Sequence, residues 1–295
     1  MDTDVEKLKK AGKIASELRD YVKTLAKPGA LLMDIADAVE KKTFALGAKP
    51  AFPINISINN IAAHHTPLFN EKAVLKDGDL VKFDIGIHMD GHIADTAVSV
   101  SIGRNDENEM LIKAAEAALA AAVKLAVPGT KLRDIGIAVE NAITEAGFNP
   151  VKNLTGHLID VYDLHAGISI PNFDNRDETK LEKDMVIAIE PFATDGAGYV
   201  NEGNEVEIFK IVNPGNIRTG REILEYAASE FDLLPFAKRW LVKKFGEMKT
   251  NLFLKEAVSK NILHAYHILA ENPGAKVSQA EHTILVADKP VVLTK

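Results

Sequence analysis

Five side chains of types that bind divalent metal ions are spread along this sequence, four of them in strand-like runs. They are Asp84, Asp95, His157, Glu190 and Glu281. Carboxylate oxygens and imidazole nitrogens suit hard or borderline ions, and the chain has no cysteine that could supply a thiolate. The donor set predicts a pair of divalent ions and, with them, hydrolytic chemistry.

The first two carboxylates lie on a predicted hairpin. The run KFDIGIHMDGHIADTAVSV alternates on both sides of Asp90-Gly91, a dipeptide typical of two-residue hairpin turns. Such a turn places Gly86 opposite Asp95, so Asp84 and Asp95 share one face as diagonal neighbours. Two carboxylates on a half-buried face repel each other unless a proton or cation lies between them. Solvent-facing aspartates on an open sheet are the alternative.

The other three candidates have weaker local signals. His157 and His165 flank the segment LIDVYDL, and on spacing alone they could equally be packed or surface histidines. Glu190 ends the apolar run VIAI, and Glu281 opens EHTILV. Because a buried glutamate without a partner is costly, both positions indicate a cation or another partner nearby.

An internal repeat organises the first two thirds of the chain. LAKPGALLMDIADAVE recurs 100 residues later as LAVPGTKLRDIGIAVE, with ten identities and the same proline and glycine positions. Farther on, the run ending at Asp84 parallels the run ending at Glu190, at an offset of 106 residues. Two such halves predict a pseudo-twofold domain in which matching strands bring these two acids to a shared centre. Chance similarity of helix boundaries is the alternative.

The pattern changes after the second half of the repeat. The segments GREILEYAASEF, LLPFAKRWLVKKFG and LFLKEAVSKNILHAYHILA have helical periodicity, and they precede the last strand-like run. We therefore expect residues 1–205 and 272–295 to form the main domain, and residues 206–271 to form a helical insertion. The basic residues of the insertion are expected on a solvated helix face, with a nucleic-acid contact as the alternative; they are Arg239, Lys243 and Lys244.

Length, charge and the N-terminal segment limit the class of protein. The chain has 295 residues, a net charge of −7 and no cysteine, which fits a globular protein and a reducing compartment. The negative charge argues against a nucleic-acid-binding footprint. Thr3 and Glu6 form a capping-box pattern at the start of an amphipathic helix. This start differs from a signal peptide, and we expect a cytoplasmic protein without a membrane span.

Together these motifs resemble those of the methionine aminopeptidases, which are creatinase-like metalloenzymes with the "pita-bread" fold. The resemblance covers essentially the whole chain and is carried by PAFPINISINNIAAHHTP, LVKFDIGIHMDGHIADTA, NLTGHLIDVYDLHAGISIPN, IAIEPFAT and EHTILV. The short N-terminus and the insertion are similar to those of the compact archaeal type II enzymes. The resemblance implies a mixed α/β (α+β) fold, with a pseudo-twofold antiparallel sheet core and helices on the outside.

The resemblance also implies a role for each candidate residue. Two divalent ions would be held by Asp84, Asp95, His157, Glu190 and Glu281, with Asp95 and Glu281 bridging them. Glu190 would also act as the general base, while His64 and His165 would contact the substrate and stabilise the developing charge. The apolar methionine pocket would be built by Phe52, Leu164 and Phe192.

The implied activity is removal of the N-terminal methionine from nascent proteins and peptides with a small second residue, by metal-activated water. Cobalt, manganese, iron and zinc all suit the donors. We expect a monomer acting on nascent chains, with ribosome contact left open, and neither a membrane nor a nucleic-acid partner. One departure from the family pattern is Asp184, in LEKDMV, where many relatives have glycine.

Two other functions fit parts of this pattern. An aminopeptidase P or prolidase shares the ligand set and cleaves before proline, but those enzymes usually carry an additional N-terminal domain. A metal-free binding protein on the same fold is the second alternative, and the intact ligand set argues against it.

Overall fold

The computed structural model describes residues 4–295 of the chain. Its helices are α1 (Val5–Leu25), α2 (Leu32–Ala45), α3 (Asp106–Val123), α4 (Leu132–Glu145), α5 (Arg221–Phe231), α6 (Lys238–Phe245) and α7 (Glu247–Ser259). Its strands are β1 (Lys49–Pro50), β2 (Asn55–Ile58), β3 (Ile61–Ala63), β4 (Leu80–Met89), β5 (His92–Ser101), β6 (Asn149–Pro150), β7 (Gly156–Ile159), β8 (Ser169–Ile170), β9 (Val186–Ile189), β10 (Phe192–Thr194), β11 (Asn201–Ile211), β12 (Phe236–Ala237), β13 (Leu263–Ala270), β14 (Val277–Gln279), β15 (His282–Leu285) and β16 (Val291–Val292).

The first helix begins where the sequence predicts an amphipathic helix. Asp4 is its N-cap, and the Asp4 side chain accepts hydrogen bonds from the backbone N–H groups of Glu6 and Lys7. The predicted cap at Thr3 lies outside the described residues. Within residues 4–295, no helix combines the length and the apolar character needed to cross a membrane.

The internal repeat is visible in the helices. Helices α2 and α4 begin and end 100 residues apart, and each is preceded by a loop in which glycine bonds to a later segment. Gly29 donates its N–H to the carbonyl of Leu75 at 2.7 Å, and Gly129 does the same to Leu181 at 2.8 Å. Helix α1 packs on α2, and α3 packs on α4. The two halves therefore repeat their local packing as well as their sequence.

The β4–β5 hairpin has the register that the sequence predicts. Gly86 lies opposite Asp95, and Asp84 lies opposite Ala97. The turn residues Asp90 and Gly91 have φ angles of 48° and 83°, as a type I′ turn requires. Successive residues of a strand point to opposite faces, so the hairpin separates the outer helices from the centre of the molecule. Odd-numbered β4 residues from Val81 to Ile87 pack with α1 and α2.

The two halves meet through antiparallel sheets. One sheet has β1, β4 and β2 in order, with β5 paired to β4; another has the order β16, β15, β9, β7 and β8. Strand β15 also lies beside β5, where the Thr283 hydroxyl accepts the Asp95 N–H at 2.7 Å. The outer helices α3 and α4 cover the second half through a separate apolar cluster. This arrangement brings the ends of β9 and β15 to the face of the hairpin that carries Asp84 and Asp95.

The segment 206–271 contains α5, α6 and α7, but it is not wholly helical. Helix α7 ends at Ser259, and the sequence LHAYHILA, which we predicted to continue a helix, forms strand β13 instead. That prediction was wrong because β13 pairs with β11 on one edge and with β3 on the other. Strand β11 begins at Asn201, so the division between the main domain and the insertion stays a prediction.

The expectation of a solvated basic face holds for only part of helix α6. Lys243 and Lys244 are exposed; Lys243 forms an ion pair with Asp37, and Lys244 lies 4.1 Å from the ring centre of Tyr226. Arg239, in contrast, is fully buried, because its side chain is covered where α6 packs against the first half of the chain. The expectation was therefore wrong for Arg239.

Candidate metal centre

All residues to which the sequence assigned a role line a single cavity between the two halves. They are Phe52, His64, Asp84, Asp95, His157, Leu164, His165, Glu190, Phe192 and Glu281. Asp84 and Asp95 stand on β4 and β5, and His157 stands on β7. Glu190 directly follows β9, and Glu281 directly precedes β15. The fold thus gathers five candidate ligands that are up to 197 positions apart in the sequence.

The proposed ligands are close enough to share metal ions. Asp95, His157 and Glu281 each offer one ligand atom, and these three atoms lie within 4.8 Å of one another. Nε2 of His157 is 3.6 Å from Oδ2 of Asp95 and 3.8 Å from Oε1 of Glu190. These separations leave room for a cation between the donors.

Buried oxygen atoms without hydrogen bonds support the same conclusion. Within residues 4–295, Oδ1 of Asp84, Oδ1 of Asp95 and Oε2 of Glu281 are buried and lack a hydrogen-bond partner. An unpartnered buried carboxylate is costly, and coordination of a divalent ion would remove that cost. The residues present therefore fit divalent metal ions.

The ionisation of the acids responds to burial and to mutual repulsion. Burial, followed by repulsion from neighbouring carboxylates, raises the pKa of Asp95, Glu190 and Glu281 well above the usual range. Burial raises the pKa of Asp84 to about 6, against the opposing effect of its hydrogen bond from Gln279. A cation among the four acids would favour their charged forms.

Several supporting residues were missed by the sequence analysis. The side-chain amide of Gln279 donates to Oδ2 of Asp84 at 3.5 Å and to Oε2 of Glu190 at 3.3 Å. The Thr96 hydroxyl donates to the backbone carbonyl of Glu281 at 2.9 Å. A usable signal existed for Gln279, because it precedes Glu281 by two residues in a strand-like run.

The segment 206–271 also contributes to the cavity wall, which the sequence analysis did not foresee. Ile208, Pro235 and Tyr266 line the cavity. Tyr266 lies on β13, which was expected to be helical, so no face could be assigned to it. Its ring centre lies 5.3 Å from that of His64 and 6.4 Å from that of His165.

The two histidines outside the ligand set have different surroundings. Nδ1 of His64 lies 3.1 Å from the backbone carbonyl of His267, so this nitrogen carries the proton and Nε2 is left as an acceptor. The ring centre of His165 lies 4.6 Å from that of His157. Burial and the nearby His157 lower the pKa of His165 to about 3, and it is therefore neutral at pH 7.

Known proteins with similar sequences and folds define the class. The profile of metallopeptidase family M24 matches residues 6–224, which is more than half of the chain. This chain belongs to metallopeptidase family M24. A methionine aminopeptidase of Pyrococcus abyssi is 44% identical over 294 residues, with 99% of each chain covered.

Solved structures share the fold at low sequence identity. A methionine aminopeptidase from Thermotoga maritima has a TM-score of 0.73 and 23% identity, over 100% of this chain and 98% of that chain. A prolidase from Pyrococcus furiosus has a TM-score of 0.66 and 19% identity, over 100% of this chain and 64% of that chain. These structures confirm the predicted fold class, and the family profile together with the Pyrococcus abyssi relative confirms the predicted family. By family the chain is a metallo-aminopeptidase that uses divalent metal ions.

Proposed function

We propose that this chain removes the N-terminal methionine from nascent proteins and peptides whose second residue is small, using two divalent ions. The single observation that carries the proposal is the convergence of Asp84, Asp95, His157, Glu190 and Glu281 in one cavity with unpartnered buried oxygens. The full-length similarity to a methionine aminopeptidase supports the choice of substrate.

Glu190 is the residue best placed to move protons. Bound divalent ions would polarise the scissile carbonyl and lower the pKa of the attacking water. One Glu190 oxygen lies toward His157 and the other toward Gln279, which orients the carboxylate without neutralising it. In the proposed reaction Glu190 takes a proton from the attacking water and returns it to the leaving amine.

The two histidines have distinct tasks in this proposal. His64 presents Nε2 as an acceptor, so it can bind an N–H group of the substrate backbone. This differs from the expectation that both histidines stabilise the developing charge. His165, which is neutral at pH 7, can donate an N–H to the oxygen on which negative charge develops.

The pocket for the methionine side chain is apolar. Phe52, Leu164 and Phe192 are each less than a tenth exposed and line the cavity that holds the acids. Buried apolar walls favour an unbranched apolar side chain such as that of methionine. Limited space beyond the pocket would account for the preference for a small second residue.

We also propose a cellular setting. Newly made proteins are the substrates, so the chain would act in the cytoplasm as a monomer, with or without contact to the ribosome and without a nucleic-acid partner. Its archaeal relative and the segment 206–271 support the compact type II form. Residues 1–205 with 272–295 would be the catalytic domain, and residues 206–271 the insertion.

Peptide hydrolysis tests the proposed function directly. A Met-Ala-Ser peptide and an X-Pro peptide are incubated with metal-stripped protein and with protein reloaded with manganese or cobalt. We expect metal-dependent release of methionine alone. Cleavage of only the X-Pro peptide would assign the chain to the prolidases, and no cleavage despite two bound ions would favour the metal-free type of binding protein.

A further inference from the structure

Arg239 belongs to helix α6 of the proposed insertion, yet its side chain is fully buried. We propose that Arg239 is a positioning residue. It holds the loop of residues 64–67, called the His64 loop, in the conformation that catalysis requires. This inference rests on the proposed function, in which His64 contacts the substrate. It gives the insertion a task in the reaction although Arg239 itself does not line the cavity.

The guanidinium group joins two parts of the first half of the chain. Nη1 of Arg239 donates to the Thr66 hydroxyl at 2.5 Å and to the Pro67 carbonyl at 3.4 Å. Nη2 donates to the Glu40 carboxylate on α2, and the Trp240 indole N–H donates to the other Glu40 oxygen at 2.9 Å. Arg239 therefore fixes the loop after His64 relative to helix α2.

His64 needs such support because its backbone is in an unfavourable conformation. Its φ angle is 64°, in the left-handed region that residues other than glycine seldom adopt. A residue in this region keeps its conformation only when its surroundings hold it there. The next two residues are held on one side by strand β2 and the residue before it. The Ile56 N–H donates to the His65 carbonyl, and the Thr66 hydroxyl donates to the Ile54 carbonyl at 2.8 Å. Arg239 holds Thr66 from the other side.

The chemistry of the contact explains why arginine occupies this position. Guanidinium has a planar fork of donors that can bind a carboxylate and a hydroxyl at the same time, whereas the lysine ammonium is a single compact charge. A buried ion pair contributes little net stability compared with apolar packing. At this position the ion pair serves to orient the two segments, because the guanidinium fork fixes the angle between α2 and the His64 loop.

The first test replaces Arg239 by lysine in the metal-loaded protein. Arg239→Lys keeps the charge next to Glu40 but cannot keep every bond to the loop. We expect kcat and kcat/KM for a Met-Ala-Ser peptide to fall together by about 10-fold to 10²-fold, with metal content unchanged. Thr66→Val removes the contact with Arg239 from the loop side, together with the hydrogen bond from Thr66 to Ile54, and it tests the inference even if the arginine variant folds poorly. Unchanged kcat in both variants would overturn the proposal.

A matched control separates positioning from general docking of the helix. Lys243 also lies on α6 and pairs with Asp37 on α2 at 2.7 Å, but this pair is exposed. Lys243→Met removes a contact between the same two helices without touching the His64 loop. We expect its kcat to equal that of the unsubstituted protein, and a loss equal to that of Arg239→Lys would overturn the assignment to the loop.

A double-mutant cycle with His64 provides the readout that a merely structural role would not change. If Arg239 acts on turnover through His64, Arg239→Lys should lower kcat little further in a His64→Ala background. The melting temperature should fall by the same amount in both backgrounds. Full additivity of the two effects on kcat would show that Arg239 does not act through His64.

Amide hydrogen exchange tests the positioning without relying on activity. We expect peptides covering residues 61–68 to exchange faster in Arg239→Lys and in Thr66→Val, and to be unchanged in Lys243→Met. Unchanged exchange in the first two variants would overturn the inference. If the unsubstituted protein fails to release methionine, the proposed function falls, while the exchange result still decides whether Arg239 holds the loop.

Discussion

Asp84 and Glu190, which stand 106 residues apart at matching positions of the two halves, accept hydrogen bonds from the same side-chain amide of Gln279. A single donor thus lies between two acids related by the internal repeat. The amide keeps one oxygen of each acid in place and leaves Oδ1 of Asp84 without a protein partner. Gln279 therefore helps to aim both halves of the repeat at a common centre.

Loss of Asp95, one of the proposed ligands, should remove the metal. We expect Asp95→Asn to abolish methionine release and to lower the bound metal below two ions per chain, since the ligands act as a set. Elemental analysis after gel filtration measures the metal. Asp90→Asn is the control, because Asp90 is an exposed residue on the turn of the same hairpin. Full activity with two ions in the Asp95 variant would refute the ligand assignment.

Substitution of His165 should separate turnover from metal binding. We expect His165→Ala to lower kcat by about 10²–10³-fold with the metal content unchanged, because a donor to the developing charge is lost. His157→Ala should instead lose metal. Parallel measurement of kcat and metal content in the two variants distinguishes the roles. Metal loss in the His165 variant would show that His165 is a ligand.

Metal removal should change how stability depends on pH. Burial raises the pKa of Asp84 to about 6 in the folded protein, above the value of about 3.9 in an unfolded chain. The folded metal-free protein binds the proton more tightly, so this stabilising contribution is present below about pH 4 and is lost as the pH rises through about 6. The raised pKa values of Asp95, Glu190 and Glu281 act in the same direction.

The metal-loaded protein should show the opposite trend, because the ligands must be deprotonated to bind metal. We therefore expect the difference in melting temperature between loaded and stripped protein to increase from about pH 5 to about pH 8. Differential scanning calorimetry at several pH values measures it. A difference in melting temperature that stays constant across this range would show that bound metal does not stabilise the ionised acids.

A single turn residue offers a test of backbone strain. Asp184 has a φ angle of 68° and occupies the position that Gly78, with a φ of 87°, holds in the first half. A residue other than glycine in this region costs about 1–3 kcal/mol, at the low end for aspartate. We expect Asp184→Gly to stabilise the protein by up to about 1 kcal/mol, the gain being reduced by the greater freedom of the unfolded chain.

The reciprocal change is the control for that prediction. Gly78→Asp should destabilise the protein by a similar amount. A Cβ at Gly78 meets no neighbouring atom within 4 Å, so the cost comes from the backbone conformation and not from a clash. Chemical denaturation of both variants at constant metal load gives the free energies of unfolding. Equal stabilities in all three proteins would mean that the turn does not store strain.

Patterns of local sequence were sufficient to predict the hairpin and the repeat. The Asp90-Gly91 turn sets the register of β4 and β5, and that register places Asp84 and Asp95 on one face. The repeat predicts helices α2 and α4 because their boundaries are set by neighbouring glycines and prolines. Both predictions rest on interactions among residues close in sequence, which the sequence displays directly.

Features that depend on distant partners were not predictable in the same way. Strand β13 has apolar spacing compatible with a helix, and its pairing with β11 and β3 decides the outcome. The asparagine at position 261 is a local signal for the end of α7, because asparagine is one of the residues that adopt the left-handed conformation after a helix. Its φ angle is 54°. The burial of Arg239 has no such signal, because Glu40 and Thr66 lie more than 170 residues away.

The order of the proposed ligands along the chain has a consequence for biosynthesis. Asp84, Asp95, His157 and Glu190 are all translated before the segment 206–271, whereas Glu281 follows it. Strand β15, which begins beside Glu281, must then insert next to β5 and β9. A growing chain therefore lacks the complete set of proposed ligands until almost all of it has been synthesised, so we expect peptidase activity to arise only after β15 is in place.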